Sequence, residues 1–101
     1  MTIIQATTPT IKYTFKVVNV SDITTAYLTI KQNGRKIIEK DLSEATVGQK
    51  DLSWSFTQTE TLQISQGHVT AMLNWKTSDG TRGASAKSSI VIDDNYKNEV
   101  I

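Results

Sequence analysis

The chain has no cysteine among its 101 residues, so neither a disulfide framework nor a thiolate metal site can form. It has one proline, Pro9, and five scattered glycines, none in a phosphate-cradling loop ahead of a helix. It has one histidine, His68, with no nucleophile motif beside it, and a base without an orienting partner makes no catalytic relay. No apolar run approaches the roughly 18–20 residues of a membrane span. The opening MTIIQATTPT shows no basic stretch followed by an apolar one. No secretory signal is therefore expected, and the sequon Asn19-Val20-Ser21 reads as chance. An excess of one charge is also missing. Eleven basic residues against ten acidic ones give a net charge of +1, no footprint for nucleic acid or an anionic membrane.

Paired carboxylates are no better provided. Asp93 and Asp94 are neighbours, and neighbours on an extended chain point to opposite faces. Glu39, Asp41, Glu44 and Asp51 have no spacing that selects a hydrolytic pair. No enzyme activity, cofactor, metal or small-molecule substrate is expected.

What the chain does have is alternation. Its composition, 38% hydrophobic and 21% charged, suits one globular domain. In TAYLTIKQNGRKIIEKD two extended runs flank Asn33-Gly34. That dipeptide suits a type I′ hairpin turn, which needs positive φ at both central positions. Ala26, Leu28 and Ile30 share one face of the first run, and of Ile37 and Ile38 only one can face inward. Lys36, Glu39, Lys40 and Asp41 read as solvating the second run.

Residues 10–18 alternate with Ile11, Tyr13, Phe15 and Val17 on one face. Ile23 plugs the core from a turn over residues 19–24. Val47 is expected to pair briefly with the next strand, where Leu52, Trp54 and Phe56 form an aromatic packing centre. Thr57 with Glu60 matches a capping box, so a single helical turn is expected over residues 57–66. Leu62 and Ile64 would lie under it and Gly67 would end it. Residues 68–76 place Val69, Ala71, Leu73 and Trp75 on one face, with His68, Thr70, Met72 and Asn74 on the other. Ser78-Asp79-Gly80 turns the chain, and residues 81–92 return as one strand.

About seven strands at this spacing, one helical turn and no long helix predict an all-β, immunoglobulin-like antiparallel sandwich. Residues 1–9 read as an arm or edge strand, 10–92 as the sandwich and 93–101 as a tail. Trp54 and Trp75 share the phase of core residues, whereas Tyr27 opposes Leu28 and is a candidate contact residue. Ile3, Ile4, Pro9, Tyr96, Val100 and Ile101 complete the candidate contact set, because they put apolar groups on otherwise polar ends.

The order TTPTIKYTFKV, SDITTAYLTIKQNGRKIIEKDLS, LSWSFTQTETLQISQGHVTAMLNWKTSDGTRGASAKSSIVI resembles small structural proteins of tailed phages and prophages of Firmicutes. It is also similar to the amino-terminal domain of siphophage upper baseplate proteins. The motifs that carry this are Ile23, Asn33-Gly34, Thr57 to Leu62, Gly67-His68-Val69, Ser78-Asp79-Gly80 and Ser88 to Ile92. The resemblance implies an accessory virion subunit of the tail, baseplate or capsid, made in the host cytoplasm. Its partners would be other phage structural proteins and copies of itself, and it brings no catalytic residue. A carbohydrate-binding module for a bacterial surface polymer is the alternative, and it requires an exposed aromatic platform or a polar cleft.

Overall fold

The alternating segments fold as strands in the computed structural model, which describes residues 1–101. They are β1 (Thr2–Ile4), β2 (Thr10–Thr14), β3 (Ile23–Gln32), β4 (Arg35–Asp41), β5 (Thr46–Val47), β6 (Asp51–Ser55), β7 (Gly67–Thr77), β8 (Arg82–Ala84) and β9 (Ser88–Asp93). One helix, α1 (Gln58–Leu62), and two 3-10 turns, Val20–Asp22 and Leu42–Glu44, interrupt them. The large sheet runs β1-β9-β7-β3-β4, with β8 also beside β7, and the small sheet runs β2-β6-β5. Only β1 and β9 pair in parallel.

This is the immunoglobulin arrangement. Strands β2, β6 and β5 take the places of B, E and D in one sheet. Strands β9, β7, β3 and β4 take those of G, F, C and C′ in the other. Antibody domains tie B to F with a disulfide; here β2 and β7 fill the space between the sheets with buried Ile11 and Leu73.

The local signals explain the turns. Asn33 and Gly34 have φ of 53° and 78°, as a type I′ hairpin demands. The capping box at α1 closes in both directions: Glu60 N–H donates to Thr57 Oγ1 and Thr57 N–H to Glu60 Oε1. A second box, Asp41 with Glu44, starts the Leu42–Glu44 turn. Ile38 is buried while Ile37 sits half-buried at a register shift in the β3–β4 ladder. Eighteen apolar residues form one core between the sheets, with Trp54 fully enclosed. Trp75 is half-buried and meets Phe15 edge-on, ring centroids 5.1 Å apart. Gly83 lies under its indole, and a Cβ there would come within 2.4 Å of a ring carbon.

The structure corrects several expectations. Strand β2 stops at Thr14; Phe15 still bonds the Lys50 carbonyl and is buried, but the alternation ends there and Val17 is 94% exposed. Residues 81–92 are two strands, because Ser85 Oγ takes the Leu73 N–H that a strand backbone would bond. Helix α1 ends at Leu62, before Gly67, which opens β7 with φ of 131°. Ile64 is buried as expected, whereas Leu62 is only half-buried and Thr61 of α1 is sealed in its place.

Lys40 is the largest correction. It does not solvate β4 but is only 9% exposed, facing inward beside Leu28 in the ladder. Its ammonium pairs with Glu60 at 2.9 Å, lies 5.0 Å from the Phe56 ring centroid and donates to the Ser55 carbonyl. Burial alone would raise the Glu60 pKa, but the Lys40 ammonium and the Thr57 amide outweigh it and hold the carboxyl below its ordinary value. Two buried glutamines close the same end. Gln5 donates to the Ile64 carbonyl, and Gln32 both donates to the Ser65 carbonyl and accepts its N–H.

Candidate functional site

Strands β3 and β7 bury one set of side chains and leave the alternate set on the outside of the large sheet. Register places these outward residues in rows. Asp41, Tyr27 and Asn74 form one row across β4, β3 and β7, and Glu39, Thr29 and Met72 form the next. Lys31, Thr70 and Ser89 follow across β3, β7 and β9. Then His68 lies beside Val91, and Val91 beside Thr2 at the β1 edge. Thr29 donates to Glu39 at 2.9 Å and Lys36 pairs with its other oxygen at 3.2 Å. The Thr29 hydroxyl first, and then Lys36, hold the Glu39 carboxyl below its ordinary pKa.

These rows surround an open cleft of about 650 Å3. The Asn33-Gly34 turn walls one side, Lys87 the other, and half-buried Met72 lines the middle. Its lining is mainly hydroxyl, amide and ammonium groups. Lys31 and Lys87 have no ion-pair partner, while the one lining carboxylate, Glu39, is paired with Lys36. No three histidine, aspartate or glutamate side chains in the molecule come together as a metal-holding group.

The expected contact residues divide three ways. Tyr27, 45% exposed, and Ile4 stand on the outward face of the large sheet. Tyr96, Val100 and Ile101 are exposed along the tail. Ile3 leaves the contact set, because it is buried at 3% exposure on the inner side of β1. Pro9 is half-buried, and its carbonyl accepts the Phe56 N–H, which completes the domain's own small sheet. Sequence reasoning did not assign Met72, Lys31 and Lys87 to a contact surface. The signal was a methionine in the polar phase of β7, readable once β3 was known to lie beside it.

The backbone matches solved β-sandwiches. CopC from Methylosinus trichosporium OB3b superposes with a TM-score of 0.59 at 15% identity, over 93% of this chain and 85% of that one. Murine CRIg gives 0.49 at 12% identity, over 94% and 91%. The V domain of amphioxus IgVJ-C2 gives 0.39 at 8% identity, over 92% and 99%. At such identity the CopC likeness concerns the fold alone, and the two weaker ones carry no argument. No protein-family model matches the chain, and no curated protein does. The class is thus an immunoglobulin-like β-sandwich, with a clefted outer face on its larger sheet.

Proposed function

We propose that the chain is a non-enzymatic structural protein of a phage virion, an accessory subunit that works through protein–protein contacts. The observation that carries the contact role is the outward face of the large sheet. Tyr27, Met72, Val91 and Ile4 lie on it among threonines and lysines, and Met72 lines its cleft. Apolar groups on a strand's solvent side gain by packing on a partner. The virion setting rests on the resemblance to tail and baseplate modules. Assembly in the host cytoplasm goes with it.

The carbohydrate reading needs an aromatic platform in solvent or a polar cleft, and the cleft on the large sheet leaves the second route open to it. Trp54 is enclosed and offers no platform, whereas Trp75 packs edge-on against Phe15 but is half-buried and lines a small recess with Tyr27.

The test is electron microscopy of purified particles of a phage encoding this chain, with density assigned at the tail, baseplate or capsid. The expected result is ordered sandwich density seated through the β4-β3-β7-β9 face. Particles that contain no copy of the chain would overturn the virion role.

A further inference from the structure

We propose that the cleft on the large sheet receives the tail of a second copy, so that molecules join head to tail. This rests on the contact role proposed above and names its partner.

The tail is displayed rather than loose. Asn95 donates to the Gln5 carbonyl, and the Gln58 amide both donates to the Ile101 carbonyl and accepts its N–H. Residues 95–101 are thereby pinned at both ends. Between the pins Tyr96 is fully exposed and makes no packing contact with the core cluster. A rigid, solvated aromatic costs little conformational entropy when it docks, which is why tyrosine serves as an interface anchor.

Charges match across the two features. In the cleft Lys36 is occupied by Glu39, which leaves the ammonium groups of Lys31 and Lys87 unpaired. On the tail Lys97 is occupied by Glu99, and the Asp94 carboxylate, just after β9, has no ion-pair partner. The free cations of the cleft thus complement the Asp94 carboxylate beside Tyr96, and Met72 offers a thioether to the Tyr96 ring. A cleft of about 650 Å3 falls within the roughly 300–1,000 Å3 of ordinary binding sites. No tail residue lines its own molecule's cleft, and the pin at Gln58 holds the tail away from it. A tail that enters the cleft is therefore that of another copy. A contact between two different patches is heterologous, so it propagates into a ring or an open array.

The experiment is sedimentation velocity on the whole chain. A cleft variant carries Lys31→Glu and Lys87→Glu, and a tail variant carries Asp94→Lys and Tyr96→Ala. All four positions are exposed, so both variants should melt as the unaltered protein does. The unaltered protein is expected to associate with rising concentration, more strongly at low salt. Each variant alone should associate roughly tenfold more weakly or not at all. An equimolar mixture should form a dimer and nothing larger, since one intact cleft meets one intact tail. A monomer at every concentration would overturn the proposal. So would variants that associate like the parent, or a mixture that fails to pair while the parent assembles. If the chain assembles this way but is absent from particles, the virion role falls and this contact stands. If it is present in particles but monomeric in solution, the reverse holds.

Discussion

The two outward faces of the sandwich differ in kind. On the small sheet the polar groups satisfy one another. Thr10 and Ser55 share a hydrogen bond at 3.0 Å, Lys12 pairs with Asp51 at 3.7 Å, and Ser53 lies between Lys12 and Thr46. On the large sheet Tyr27, Met72, Val91 and Ile4 interrupt the polar rows, and Lys31 and Lys87 are left without partners. The first face is finished as a solvent surface with charged and hydroxyl groups along edge strand β2. The second keeps apolar and ionic groups without partners inside the molecule, and the proposed contact rests on them. A strand's alternation alone does not distinguish these surfaces; what the outward residues do with one another does.

Neighbours on β7 test the comparison most severely. Leu73→Ala removes a fully buried side chain and should cost about 2–5 kcal/mol in denaturant unfolding. Met72→Ala, one residue away on the outward face, should cost less than about 1 kcal/mol and instead weaken association. If Met72→Ala is equally destabilising, the outward face is packed within the monomer and the distinction fails.

Two carboxylates give the next contrast. Glu60→Gln leaves the Lys40 ammonium with the Ser55 carbonyl and the Phe56 ring alone. Because the pair is not sealed from water, the loss should be about 1–2 kcal/mol, below that of a fully buried pair. Glu39→Gln, on the outer face, should change stability by no more than about 0.5 kcal/mol. The Glu60 carboxyl is held below its unfolded value, so its stabilisation is present above that unfolded value and lost as pH falls through the lower, folded one. Acid unfolding of Glu60→Gln should therefore be shallower than that of the parent in the carboxylate range. Identical acid limbs would remove Glu60 from the account.

At the corner where the chain leaves the large sheet for the small one, Ala6 has φ of 64°. Ala6→Gly should raise stability by about 0.5–1 kcal/mol, since glycine tolerates that backbone without strain. A loss would mean that the Ala6 methyl contributes packing. Lys12→Ala should give the smallest effect, within about 0.5 kcal/mol, and leave association unchanged, because the small-sheet face takes no part.

Much of this was legible in the sequence. The alternation of β3, β6 and β7, the Asn33-Gly34 turn and the Thr57–Glu60 box are local signals, and each formed as read. What could not be read was anything set by distant partners. Lys40 is inside because Glu60 and Phe56, twenty and sixteen residues on, meet it. Gln5 and Gln32 are buried because the chain after α1 offers them backbone groups. The break before β9 depends on a serine hydroxyl replacing a ladder bond. The candidate contact face was half legible: the polar phase of β7 was evident, and its union with β3, β4 and Lys87 was not.

The most direct test of the head-to-tail contact is hydroxyl-radical footprinting of the unaltered chain across a range of concentrations. Met72 and His68 on the large sheet, and Tyr96 on the tail, should lose reactivity together as concentration rises, while Val17 and Met1 stay constant. Protection of Val17 with Met72 unchanged, or reactivity independent of concentration everywhere, would contradict it.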